Sequence, residues 1–233
     1  MAAAAAVLVA TPACGGNDGG GGADDTASAS AIEPEAQKRA ESIVLKLADF
    51  PNGWRASAPE DEGGQEKFNK CVGADYSGLT KIGDADSQDF AKGDSPSASS
   101  DATIFKSDQQ AEDGMSKLAT GLNGSAAEGC FQDLTEEALK GEKGFKLGDV
   151  DIGELKFTPP DVEEAKAWQI VVPVEITSGA AKGFSPDVYL DFVVLREGDT
   201  VATVTTEDVF SEFDTELRNQ LVQTVAGRMS ESS

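Results

Sequence analysis

Carboxylates and three cysteines carry most of the chemistry open to this chain, which has 42 Asp and Glu residues and no histidine. Without histidine, neither a Ser-His-Asp nor a Cys-His arrangement can be built, and the usual zinc ligand sets shrink to carboxylates. No GxGxxG or GxxxxGK[ST] pattern offers a phosphate cradle. Two acidic runs have the look of calcium loops: "GDADSQD" with Asp84, Asp86 and Asp89, and "GDVDIGE" with Asp149, Asp151 and Glu154. An EF-hand loop needs glycine at its sixth position and glutamate at its twelfth. From Asp84 those positions hold Asp89 and Ser95, and from Asp149 they hold Glu154 and Pro160. Both runs therefore read as solvated turns of an acidic protein. Glycoside hydrolysis needs only two carboxylates held several ångströms apart, but no motif selects a pair. The sequence predicts no catalytic residue, no metal ligand and no cofactor. Trp54 and Trp168 fit strand positions in a core better than the wall of a ligand cleft.

The cysteines have different prospects. Residues 2–13 are almost all small or apolar and end at Cys14, after which residues 15–31 hold Gly, Asp, Ser, Ala, Thr and one Asn. The apolar run suits the core of a secretory signal and falls short of the roughly 20 residues a membrane span needs. Such signals begin with a positive charge, whereas the first basic residue here is Lys38, so the translation start is expected upstream. Thr11-Pro12-Ala13-Cys14 resembles the lipobox of bacterial lipoproteins, with Thr11 where leucine is usual. That resemblance implies a diacylglycerol on Cys14, which becomes the mature N-terminus. Residues 14–31 would then form a flexible tether. The alternative is an ordinary secreted protein with a stray thiol at Cys14. Export leaves Cys71 and Cys130 as an even pair in an oxidising compartment, expected to form one disulfide; two buried free thiols are the alternative.

The formal net charge of −23 excludes nucleic acid and anionic lipid headgroups as natural partners, since lysine and arginine drive both kinds of binding. Membrane association is expected only through the lipid on Cys14. The apolar fraction of 39% is low, but the deficit lies in the tether and in glycine- and serine-rich loops.

Residues 32–233 have the length of one domain. Glu33-Pro34 opens a helix whose apolar face is Ala36, Ala40, Ile43, Val44 and Leu47. "DFPNGW" turns the chain into a strand near Trp54. Short strands are expected at 68–72 and 87–91, in the segment hardest to read. "DATIFKS" reads as a strand, and Ser107 with Gln110 as the start of a helix burying Ala111, Met115, Leu118, Ala119 and Leu122. Ser125 and Glu128 suggest a second cap, before a short helix with Cys130, Phe131, Leu134 and Ala138. Strands then follow at 150–157, 167–176, 188–195 and 200–206, the last two joined by "REGD". In the second, Trp168, Ile170, Val172, Val174 and Ile176 share a face, as in a sheet covered mainly on one side, and Pro173 calls for an edge or bulge. Ser211 and Asp214 precede a closing helix with Phe213, Leu217, Leu221, Val225 and Met229 spaced by four.

Helix, "DFPNGW" turn, cysteine, "FKSDQQA" strand-to-helix step, second cysteine, strands and closing helix follow one another over most of residues 32–229. This order resembles actinobacterial cell-envelope lipoproteins, in particular the extracellular sensor domain of PknH-type kinases and LpqN-like lipoproteins. The resemblance implies an α+β domain with an antiparallel sheet packed by helices, a disulfide staple and a ligand cleft. Such sensor domains carry two disulfides where this chain can form one, and no kinase domain accompanies it. The expected function is ligand or partner binding outside the cytoplasm, without catalysis, by a monomer acting on an unidentified small molecule or envelope protein. The alternatives are a two-carboxylate hydrolase of wall glycans and a purely structural envelope component.

Overall fold

The computed structural model of the chain describes residues 32–59, 64–74, 76–139 and 144–232. Its centre is a nine-stranded antiparallel sheet. The strands are β1 (Arg55–Ser57), β2 (Lys81–Asp86), β3 (Asp89–Ala91), β4 (Ser97–Phe105), β5 (Phe145–Leu147), β6 (Asp151–Glu154), β7 (Glu164–Ile176), β8 (Asp187–Glu197) and β9 (Thr200–Val209). Their order is β1-β3-β4-β9-β8-β7-β5, with β2 also on β4 and β6 also on β7. The fold is therefore α+β, as the sequence predicts.

Among the described residues five α-helices cover the sheet on both faces: α1 (Pro34–Ile43), α2 (Gly64–Cys71), α3 (Asp108–Leu122), α4 (Ala127–Ala138) and α5 (Thr215–Ser232). Two separate cores result. On one face α1 and α5 bury Ala40, Ile43, Leu221, Val225 and Met229 against Ile104, Val193, Leu195, Ala202 and Val204. On the other, α2, α3 and α4 bury Phe68, Met115, Leu118 and Phe131 against Trp168, Ile170, Val172, Phe192 and Val194. The alternation expected of β7 holds, since Trp168, Ile170, Val172 and Val174 all enter the second core. A sheet covered mainly on one side is not what the centre shows, because residues 190–195 and 202–206 are buried without alternation. Strands packed on both faces lose the period-2 polarity signal.

Local chemistry explains most element ends. Pro34 fills the first turn of α1, where its missing N–H costs nothing. Ser107 caps α3 by accepting from the Gln110 amide. At the start of α5, Asp214 Oδ1 accepts from the amides of Glu216 at 2.9 Å and Leu217 at 3.0 Å, so Asp214 alone supplies the side-chain cap. Ser125 and Glu128 supply none, for α4 starts after Ala126 without a side-chain cap. The strand expected at 68–72 is instead the end of helix α2 and its exit. Phe68, Cys71 and Val72 stand at i, i+3 and i+4, the helical spacing, and face the second core. Leu47 is 45% exposed beyond α1, which ends at Ile43. Pro173 lies where β7 passes from β6 to β5, its carbonyl accepting from Gly148 N–H at 2.7 Å. A residue without an amide proton fits that interruption of the ladder.

Strand β2 is held from outside by α1. Gln37 accepts from the Asp84 amide at 3.1 Å and donates to the Asp84 carbonyl at 2.9 Å, so one side-chain amide occupies a free strand edge. The approach is close enough that a Cβ on Gly83 would stand 2.6 Å from the Ala36 carbonyl. This fixes how β2 presents its other face.

Candidate functional site

The strand sequences "KIGDAD", "SDATIF" and "TVATVTT" alternate small apolar residues with Asp and Thr, and the register brings the polar members together. Asp86 pairs with Asp101, and Asp84 with Thr103. Across the next ladder Asp101 pairs with Thr203, and Thr103 with Val201. Ala102, Ile104, Ala202 and Val204 point the other way into the first core. Asp84, Asp86, Asp101, Thr103 and Thr203 consequently line one cleft on the α3 side of the sheet.

The cleft has a volume of about 50 Å³, room for a few waters or one small ligand group. Its roof is Gly114, Met115 and Leu118 of α3, and Tyr76 and Lys81 complete the wall. Gly114 lets α3 descend, since a Cβ there would stand 3.3 Å from both Leu79 Cδ1 and Phe105 Cζ. Lys81 Nζ donates to Asp84 Oδ1 at 3.2 Å and Thr103 Oγ1 donates to the same oxygen at 2.6 Å. Thr203 Oγ1 donates to Asp101 Oδ1 at 3.3 Å.

Asp84 therefore has a cation and a hydroxyl on one carboxyl oxygen. Asp101 is different. Burial, then the charges of Asp86 and Asp84, push its pKa up to about 7, against the smaller pull of Lys81 and Thr203. Directly opposed residues have Cβ atoms about 5 Å apart. Two ionised carboxylates at that spacing repel, and holding a proton on one relieves the repulsion. The Tyr76 phenol is also pushed up, by burial and then by Asp101, so it stays a neutral hydroxyl at the cleft wall.

Of the acidic runs singled out in the sequence, the first is not a solvated turn. Asp84 and Asp86 stand on β2 facing the cleft, while Asp89 stands on β3 opposite Ser57. Asp149, Asp151 and Glu154 are exposed. Among the described residues no group of three or more His, Cys, Asp or Glu could hold a metal ion. Both tryptophans belong to cores. Trp54 stacks on Phe50 at 4.7 Å between centroids, and Trp168 Nε1 donates to Asn123 Oδ1 at 2.9 Å. Cys71 on α2 and Cys130 on α4 stand at disulfide distance, Cα to Cα 5.5 Å, and Tyr76 follows five residues after the first. Cys14 lies outside the described residues. Asp101 was missed in the sequence, although "SDATIF" carries the signal: Asp101 and Thr103 alternate with Ala102 and Ile104.

A second polar stripe continues along β9 and β4. Glu207 pairs with Ser97, and Thr205 with Ser99, on the same face as Asp101. Burial, and then Asp208, push the Glu207 carboxyl up to about 8. Glu207 stands four positions beyond Thr203 on β9, about 13 Å along the strand, so it does not share the Asp101 cleft.

No protein-family profile matches the sequence, and no curated protein matches it. Among solved structures, the chain is similar to the crystal structure of the extracellular domain of PknH from Mycobacterium tuberculosis. The identity is 12% and the TM-score 0.37, over 86% of this chain and 97% of that one. A likeness this distant assigns neither function nor ligand.

Proposed function

We propose that the chain is a lipid-anchored extracytoplasmic protein of the envelope, whose domain binds a small ligand without transforming it. A cationic group of the ligand lodges between Asp86 and Asp101. The observation that carries this reading is the direct opposition of Asp86 and Asp101 beneath an open cleft. A cation between two carboxylates replaces their repulsion by attraction, and Asp101 then gives up its proton. Tyr76, Thr103 and Thr203 offer hydroxyls for orientation, while Met115, Leu118 and Phe105 offer apolar contact, the mixture typical of small-molecule sites. Anchoring is proposed from the apolar run, Cys14 and the glycine-rich residues after it. Membership among lipoproteins like the PknH-type sensor domains and LpqN is proposed from the order of helix, turn, cysteines and strands.

The paired carboxylates also favour one second reading, a hydrolase of wall glycans. The carboxyl groups of retaining glycosidases stand about 5 Å apart, close to what the Asp86–Asp101 register provides. The small volume of the cleft speaks for binding, because a sugar ring must sit between acid and nucleophile. A purely structural role leaves the cleft unexplained.

A thermal-shift panel of primary amines and amino sugars, read beside a turnover assay on glycan fragments, separates these readings. The binding reading expects one or more amines to raise the melting temperature, the effect to vanish in Asp86→Asn and Asp101→Asn, and no glycan to be cut. Cleavage abolished by Asp101→Asn would establish the hydrolase instead.

A further inference from the structure

Phe184 and Phe210 form an exposed aromatic pair at the end of the sheet away from the cleft. Their rings lie 5.8 Å apart between centroids, and the residues are 50% and 63% exposed. The other exposed large apolar residues, Ile32 and Leu47, stand singly, as surface residues ordinarily do. Both rings are set by backbone hydrogen bonds. Phe184 N–H donates to the Ala181 carbonyl, its own carbonyl accepts from Ile176 N–H at 2.9 Å, and Phe210 N–H donates to the Asp187 carbonyl at 2.9 Å. Phe210 has a φ of 91°, the single non-glycine residue with positive φ among the described residues. A bulky side chain takes that conformation only where the surroundings impose it. Strain is thus retained at a position whose side chain buries little.

The rim is acidic. Asp187 gives Phe210 its backbone partner, and Asp208 and Glu212 flank Phe210 by two residues on either side, against one cation, Lys182, two residues before Phe184. Asp208 accepts from Ser95 Oγ and Asp187 from the Tyr189 hydroxyl. None of the three forms an ion pair with lysine or arginine among the described residues. Aromatic anchors inside a charged rim are the anatomy of a protein interface. An anionic membrane would be repelled by this rim, and a second copy would bring like charge to like charge.

We infer that the Phe184–Phe210 end of the sheet docks a basic segment of another protein, in which arginine or lysine side chains lie over the rings and face the acidic rim. Ring faces attract cations and carboxylates hold them there, so both features select the same partner chemistry. The surface is distinct from the cleft: Phe210 follows the end of β9, Thr203 and Val209 are six residues apart on that strand, about 20 Å, and neither phenylalanine lines the cleft.

The test uses the full chain and a short fluorescein-labelled peptide alternating arginine and leucine, read by anisotropy at physiological ionic strength. Saturable binding is expected, weakened about tenfold or more by Phe184→Ala combined with Phe210→Gly, and weakened again by Asp208→Asn with Glu212→Gln. The Phe210→Gly protein should melt no lower than the parent, since glycine relieves the positive φ, so a loss of binding is not a loss of fold. Absence of binding, or binding equally tight in the double phenylalanine variant, would overturn the inference. So would a preference for zwitterionic phosphatidylcholine vesicles that depends on the two rings.

Discussion

Asp86 on β2 stands opposite Asp101 on β4, and on the far side of Asp101 the Thr203 hydroxyl donates to its carboxyl at 3.3 Å. Two acids and a hydroxyl thus form one row across three strands, and the middle acid has the raised pKa. In the folded protein Asp101 titrates near 7 and Glu207 near 8, whereas unfolded carboxyls titrate near about 4. The folded state therefore binds more protons than the unfolded state between these limits. Stability falls as pH rises from about 4 to about 8, then levels off.

Thermal unfolding followed against pH checks this directly. The melting temperature should climb as pH drops from about 8 to about 5, the reverse of ordinary acid destabilisation. Asp101→Asn and Glu207→Gln should each flatten the slope, and at about pH 8 each variant should exceed the parent by on the order of 1–3 kcal/mol. A slope of the opposite sign, unaltered by either substitution, would refute the protonation assignment.

Arg218 on α5 and Asp191 on β8 form an ion pair with both side chains at most 3% exposed, and Gln169 Nε2 donates to the other carboxyl oxygen of Asp191 at 2.9 Å. Asp191→Ala leaves a guanidinium buried without its partner, expected to cost about 3–5 kcal/mol in denaturant unfolding. Replacing both residues, Asp191→Leu with Arg218→Met, should recover most of that loss. A single variant as stable as the parent would mean that the pair does not pin α5 to the sheet.

The Cys71–Cys130 bond is expected to close two positions separated by 59 residues, worth roughly 4 kcal/mol on the chain-entropy account. Reduction, or Cys71→Ala with Cys130→Ala, should lower the melting temperature. Protease should then cut around α2 and the loop to Tyr76 before it cuts β7, β8 or β9. Two free, alkylatable thiols at these positions in protein exported by its native host would contradict the bond.

Lipidation at Cys14 predicts a diacylglycerol mass on that residue and partition into detergent, with Cys14→Ser releasing the protein to the aqueous phase. Two acyl chains give stable attachment where one gives only marginal binding. A mature N-terminus downstream of Cys14 would sink the anchor.

Much of this architecture was legible because one face of an element was polar. The α3 face and the alternation of β7 carry a period that burial on one side imposes, and the "REGD" hairpin is marked by its turn residues. Where both faces are buried the period vanishes, so the covering of residues 190–195 and 202–206 by helices on either side could not be read. Helix α2 was mistaken for a strand because eight residues with few apolar positions leave too short a pattern to fix its period. The cleft was hidden for another reason. Asp86 and Asp101 meet only through a strand register, and register depends on pairing across the sheet rather than on local sequence. Phe210 gave no sign at all, since a positive φ at a bulky residue is imposed by the fold.

The most direct measurement of the central claim is calorimetry of amine binding in buffers of different ionisation enthalpy, which counts the protons exchanged. With Asp101 titrating near 7, an ammonium ligand seated between Asp86 and Asp101 should release close to one proton at about pH 6 and almost none at about pH 8.5. In Asp101→Asn both the proton release and most of the affinity should be lost. Proton release that does not change over this range, or binding that survives intact in Asp101→Asn, would contradict the assignment of this cleft as the ligand site.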